Sequence, residues 1–236
     1  MISLALETSS KYGSIALFRD DQLVEEQTLP RTDGTAKTLA PALHELLARH
    51  AVSPRSLDLI AVTNGPGSFT GLRIGIVTAK ILAYASKAQV IGVNTLHAIA
   101  LQAPDEANRV TAILDAQRSQ LYVADFHRVD NWLEPIAETR ITDRETWIDD
   151  LTSESIIIGP VLEKLSSNMD SSVPLAPKES WEPTAVNVGR LGLHLYQQGQ
   201  RDDYWKMVPN YYRLSAAEEK ARAEDKKADA ADESTS

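Results

Sequence analysis

The residues best placed to do chemistry lie in one run, Asn64-Gly65-Pro66-Gly67-Ser68-Phe69-Thr70-Gly71-Leu72-Arg73-Ile74-Gly75. Glycine tolerates positive φ and lets a backbone approach a ligand closely. An apolar run precedes the loop and a helical pattern follows it, and the start of a helix offers unpaired N–H groups to an anion. Gly65, Gly67, Ser68, Thr70 and Gly71 are therefore candidates for facing a phosphate. The usual phosphate-binding templates do not fit. The spacing is G-x-G-x-x-x-G, with Thr70 where a dinucleotide fingerprint has glycine. No Gly-Lys-Ser/Thr follows, which excludes a P-loop, and Ser68 lacks the Gly-x that precedes a nucleophile-elbow serine. Two readings stay open: an anion cradle, or a tight strand-to-helix turn packed closely on its neighbours.

Other chemistry is scarce. There is no cysteine, which excludes disulfides, thiolate zinc sites and a cysteine nucleophile. His44 and His50 stand six residues apart, about 240° around a helix, and cannot share one ion. His44-Glu45 is not followed by a second histidine at the zincin spacing. His97, His127 and His194 are isolated, so no metal site is expected. Asp115, opening Asp115-Ala116-Gln117-Arg118-Ser119, has the appearance of a turn-capping aspartate.

The elements that must position these residues read clearly. Ile2, Leu4 and Leu6 alternate with small or polar residues, Ser9 to Gly13 is turn material, and Ile15 to Phe18 and Leu23 to Leu29 complete a three-stranded antiparallel meander. Thr35 to His50 has helical spacing, Leu57 to Thr63 is a buried strand, and the glycine loop leads into a helix from about Gly71 to Ser86. Val90 to Val93 and helical Thr95 to Gln102 follow. The pattern restarts near Arg109. Strands at Val110 to Leu114, Leu121 to Phe126 and Ile136 to Ile141 are expected, then a helix at Arg144 to Leu151 and a strand at Ile156 to Ile158. A helix follows Pro160, and the longest late helix starts behind Pro183-Thr184 and runs through Val188, Leu191, Leu195 and Tyr196.

Composition narrows the class. The 236 residues are 43% hydrophobic and 24% charged, which suits a globular protein. The formal charge is -9, whereas surfaces that hold nucleic acid neutralise phosphates with Lys and Arg. The chain is poorly suited to gripping RNA unaided. Met1 to Glu7 lacks a basic n-region, so no signal peptide is expected. The stretch from Ala88 to Pro104 is too interrupted for a membrane span of about 20 apolar residues. A soluble cytoplasmic protein is the expectation. Beyond Leu214 no aromatic, Leu, Ile, Val or Met occurs, and residues 215–236 carry seven acids and four bases, a composition that cannot offset its own ordering entropy.

Leu4-Ala5-Leu6-Glu7-Thr8-Ser9 with Gly13-Ser14-Ile15-Ala16-Leu17, followed by the glycine loop, resembles the TsaB (YeaZ) family. Leu114-Asp115-Ala116-Gln117-Arg118 through Tyr122 and the closing Pro209-Asn210-Tyr211-Tyr212-Arg213 agree with it. The resemblance implies an α/β, actin/Hsp70-like ATPase (ASKHA) fold of two related subdomains, mixed sheets flanked by helices. They would cover residues 1–105 and 106–214, the late helix able to pack back on the first, with 215–236 a disordered acidic, Ala-rich tail. It also implies an accessory subunit for making N6-threonylcarbamoyladenosine at tRNA position 37 (t6A37) in bacteria. Such a subunit scaffolds the catalytic paralogue TsaD together with the small ATPase TsaE, and forms a homodimer when alone. It would meet tRNA only through the complex and carry no cofactor of its own, with ATP or ADP a matter for the complex.

This sequence departs from an enzyme of that fold. The catalytic paralogue binds metal through a His-x-x-x-His pair, and the matching stretch Thr35 to His44 has none. Actin-like ATPases carry an aspartate in the first hairpin, where Glu7 stands here; the resemblance makes Asp115, at the second hairpin, the better match to such a carboxylate and adds it to the phosphate-facing candidates. A non-catalytic role is the expectation, and an older description of the family as a glycoprotease gains no support. The competing readings are a free-standing ATP-dependent enzyme of sugar-kinase type, which needs carboxylates for Mg²⁺ and a general base, and a generic α/β binding module. Gly71, Gly75, Ala79 and Ala83 recur every four residues, forming one ridge. Flanked by Leu72, Ile76 and Leu82, and joined by Leu39 and Leu43 of the preceding helix, that ridge is the expected partner surface. The alternative is that it packs on its own sheet.

Overall fold

The structure, a computed structural model, describes residues 1–30 and 34–212; the expected tail, 215–236, lies outside them. Strands β1 (Ile2–Glu7), β2 (Ser14–Arg19) and β3 (Gln22–Thr28) form the meander, with Leu4 opposite Leu17 and Leu6 opposite Ile15. Asp20 and Asp21 make the β2–β3 turn with φ of 47° and 57°, the left-handed pair that a two-residue hairpin requires. Helix α1 (Thr35–Arg49), β4 (Leu59–Gly65), α2 (Phe69–Ser86) and β5 (Gln89–Asn94) complete the first sheet. Its order is β3-β2-β1-β4-β5, and β4 runs parallel to β1 and β5 to β4.

Period-two alternation gives this sheet two apolar faces. Leu4, Leu6, Ile60 and Val62 point toward α1 and α2, while Ala5, Ala61, Ile91 and Val93 point the other way.

Helix α3 (Thr95–Ala100), capped by the Asn94 side chain, leads to the second unit. There β6 (Arg109–Asp115), β7 (Gln120–Val129), β8 (Trp132–Pro135), β9 (Arg140–Asp143), α4 (Arg144–Asp149), β10 (Ile156–Ile158) and α5 (Leu162–Leu165) follow in chain order. The sheet runs β10-β6-β7-β8, with β9 also on β7, so β8-β7-β6-β10 repeats the β3-β2-β1-β4 arrangement. The single strand expected at Ile136 to Ile141 is instead two short strands. After Ile136 N–H bonds Asp125 O at 2.8 Å, the chain loops out before re-pairing at Arg140, and this loop lines the cleft described below.

Helix α6 (Ala185–Gln197) returns to cover the first sheet. Ala185 N–H donates to Ser14 Oγ at 2.8 Å. A Cβ on Gly189 would meet the Phe18 ring and one on Gly192 would meet Ala61, so both glycines serve close helix-on-sheet packing. Among the described residues no helix is long and apolar enough to cross a membrane.

Candidate functional site

Glu7 ends β1 fully buried. Its Oε1 accepts from Ser9 N–H (2.7 Å), Ser9 Oγ (2.5 Å) and Ser10 N–H (3.2 Å), and its Oε2 accepts from Ser10 Oγ (2.7 Å). Burial pushes the carboxyl up to about 6, against the pull of the Ser9 and Ser10 hydrogen bonds. All four donors belong to its own hairpin, so Glu7 organises the turn.

The glycine loop lies on that turn. Ser68 N–H donates to Ser9 O at 2.7 Å. A Cβ at Gly67 would sit 2.6 Å from Ser9 Cβ, and one at Gly71 or Gly75 would overlap Thr8. Gly65, at φ +126°, backs onto the C-terminal segment, where a Cβ would stand 2.7 Å from Asn210 O. The close approach that the glycines foretell is therefore to the chain's own backbone. Gly65, Gly67 and Gly71 are thus packed as a tight strand-to-helix turn. Ser68 caps α2, its Oγ accepting from Gly71 N–H at 3.2 Å, and Thr70 is exposed. Asp115 accepts from Gln117 N–H at 2.8 Å and pairs with Lys164 at 3.2 Å, which makes it a turn cap with a local cation. Among the described residues no three His, Asp or Glu side chains converge on a metal position.

Helix α2 separates into two faces, and the ridge is the inner one. Gly71, Leu72, Gly75, Ile76, Ala79 and Ala83 are buried, as are Leu39 and Leu43 of α1, while Leu82 packs partly against the same core. The expected partner surface is thus the contact between α1, α2 and their own sheet, because Thr8 leaves no room there for a side chain. The outer face carries Phe69, Val77, Ile81 (63% exposed) and Tyr84 (68%).

Beside it runs a strap, residues 201–212, with Trp205 (67%), Val208 and Tyr211 exposed. These seven belong to the eleven large hydrophobics that are exposed among the described residues, a concentration that isolated surface residues do not show. Tyr84 and Trp205 meet edge to face at 5.8 Å and Phe69 meets Tyr211 at 5.1 Å. The Arg73 guanidinium lies 3.9 Å over the Phe69 ring and its Nε donates to Tyr211 Oη at 2.8 Å. Sequence periodicity could not find this surface, since the strap has no helical or strand pattern; its one signal is a cluster of aromatics beyond the last helix.

A cleft of about 740 Å³ lies between the two sheets, lined by Asn94, His97, Phe126, Glu138, Tyr211 and Tyr212 among others. His97 donates from Nε2 to Leu133 O at 2.6 Å and rests on Phe126 at 4.8 Å. Burial holds its pKa down at about 4, so the ring is neutral at pH 7 and brings no charge to the cleft.

Two sheets of matching strand order, each built from an antiparallel hairpin extended by a parallel strand, with helices on both faces of the first, define an α/β protein of the actin-like ATPase class. The family described as TsaD: tRNA N6-adenosine threonylcarbamoyltransferase matches residues 32–193. The chain is 28% identical over 229 residues to the tRNA threonylcarbamoyladenosine biosynthesis protein TsaB of Bacillus subtilis (strain 168), covering 93% of this chain and 97% of that one. Its identity to the protein of the same description from Escherichia coli (strain K12) is 27%, over 91% and 95% of the two chains. The solved structure of YeaZ from Pseudomonas aeruginosa superposes with a TM-score of 0.76 at 26% identity, over 89% of this chain and 99% of that one. This chain belongs to the TsaD family, on its TsaB (YeaZ) branch.

Proposed function

We propose that this chain is an accessory subunit in bacterial t6A37 biosynthesis that scaffolds a catalytic TsaD-type paralogue. The place in that pathway follows from the relatives, which are described as tRNA threonylcarbamoyladenosine biosynthesis proteins. The docking role rests on one observation, the exposed apolar face that α2 and the strap build together. Trp, Tyr and Arg at the centre of an apolar patch are the composition of interface hot spots. The paralogue is the occupant we assign to it, and a second copy of this chain takes the same face when the paralogue is missing. A TsaE-type ATPase and tRNA then join through the assembly, in the cytoplasm. The net charge of -9 argues against this chain holding the tRNA phosphates itself. ATP or ADP belongs to the assembly, because the glycine loop is filled by Thr8 and Ser9 and Glu7 and Asp115 are engaged within their own turns. Those engagements also weigh against the sugar-kinase reading.

Mixing the purified chain with the TsaD-type protein of the same organism, and following the mass by light scattering on a sizing column, tests the docking role. A one-to-one complex is expected with the wild type, and its loss with Ile81→Asp, whose melting temperature stays unchanged. An intact complex with Ile81→Asp and with Val77→Asp would overturn the assignment of this face.

A further inference from the structure

The strap, residues 201–212, holds two regions of the molecule at once. Asp202 bridges Val90 on the β5 edge and accepts from Gly92 N–H at 2.7 Å. Trp205 O accepts from Lys80 Nζ at 3.2 Å, and Asn210 N–H donates to Asn64 O at 2.7 Å. Tyr211 is fixed on the outer face of α2 by Phe69 and Arg73. The next residue turns the other way. Tyr212 Oη accepts from Asn94 Nδ2 at 3.1 Å, and its ring stands edge-on to Tyr122 of β7 at 5.9 Å. The same Asn94 nitrogen donates to Thr139 Oγ1 at 3.0 Å. Asn94, Thr139, Tyr122 and Tyr212 therefore clasp the first sheet to the second, and residues 209–212 form one wall of the cleft of about 740 Å³.

We propose that the strap is a latch coupling the outer face of α2 to the cleft, so that displacing Tyr211 frees Tyr212 and opens the cleft wall. The proposal rests on reading that face as a docking surface, and gives the docking a consequence. Consecutive Cα atoms are about 3.8 Å apart, and a hydrogen bond fails within about half an ångström of stretching. Tyr211 and Tyr212 are adjacent, so a movement of the strap backbone that takes Tyr211 off Phe69 and Arg73 also takes Tyr212 off Asn94. A protein partner that covers Phe69 and Arg73 competes for the contacts Tyr211 makes, and so biases the strap between a latched and a released arrangement.

The chain has no cysteine, so Ala124→Cys, at a cleft-lining position only 2% exposed, is a unique reporter. Its reaction with a chromogenic disulfide reagent is followed on the full chain with no partner present. Slow labelling is expected in the otherwise native background, with about tenfold acceleration by Tyr212→Phe and by Tyr211→Ala. Ala42→Cys in parallel chains, at a buried position of α1 away from the cleft, should stay slow in every background, which excludes global unfolding. Acceleration by Tyr212→Phe alone would overturn the coupling, and no acceleration by either would overturn the latch. Should Ala124→Cys perturb the fold, exchange of the Asn94 side-chain amide protons reads the same release. No partner enters this experiment, so its failure leaves the docking role standing, and loss of the docking role does not alter its outcome.

Discussion

Glu7 and Thr8 form the turn on which the glycine loop packs, and both carry testable consequences. The buried Glu7 carboxyl has its pKa raised from 4.5 to about 6. A raised folded-state value favours the protonated form, so its stabilising contribution is complete below pH 4.5 and is lost as pH rises through 6. The loss is about 2 kcal/mol. Glu7→Gln removes this dependence while one amide oxygen still accepts from Ser9 and Ser10. We expect urea melts at pH 4.5 and pH 7 to show the variant gaining about 2 kcal/mol on the wild type as pH rises; a constant difference would refute the assignment. His97 acts in the opposite sense, since its depressed pKa of about 4 gives stability present above pH 6.5 and lost on acidification, which is why the variant comparison is needed. Among the described residues, Thr8 Oγ1 is buried with no hydrogen-bond partner. Thr8→Val should therefore stabilise the chain by about 1 kcal/mol, read as a higher midpoint in denaturant; a loss of that size would mean the hydroxyl has a partner. The glycines nearby were legible as points of close approach, because that is a property of glycine itself. What approaches them was not, since Thr8, Ser9 and Asn210 arrive from distant parts of the chain.

Helix α2 shows where pattern reading reaches its limit. Its sequence is apolar nearly all round, so spacing identifies a ridge of small residues but not the direction it faces. The sheet decides. Ala79 is fully buried, so Ala79→Leu should destabilise the isolated chain by about 1–3 kcal/mol through overpacking, measured by chemical denaturation. A stable Ala79→Leu chain that merely loses association would return the ridge to the partner. Most other elements were readable from alternation and caps, including the meander, α1, and α6 behind its Thr184 cap. The segment expected as one strand at Ile136 to Ile141 was misread for a local reason. Ile136 and Ile141 look like strand residues, but Ala137, Glu138 and Thr139 leave the ladder to line the cleft.

The whole molecule is an actin-like α/β fold with its first hairpin turn closed on itself and, among the described residues, seven of the eleven exposed large hydrophobics gathered on one helix and one strap. The repeat of hairpin and parallel strand was visible in the sequence because both halves carry the same alternation. The return of α6 to the first sheet, and the strap laid across α2, depend on tertiary packing that no local pattern encodes. The net charge of -9 and the exposed aromatic face are the two whole-molecule features on which the proposed docking role rests. The most direct test is reconstituted threonylcarbamoylation of tRNA with the TsaD-type and TsaE-type proteins, quantifying modified adenosine at position 37. We expect modification with the wild-type chain, a fall of at least tenfold with Ile81→Asp, and none when this chain is supplied alone with tRNA. Full modification with Ile81→Asp, or modification by this chain alone, would contradict the account.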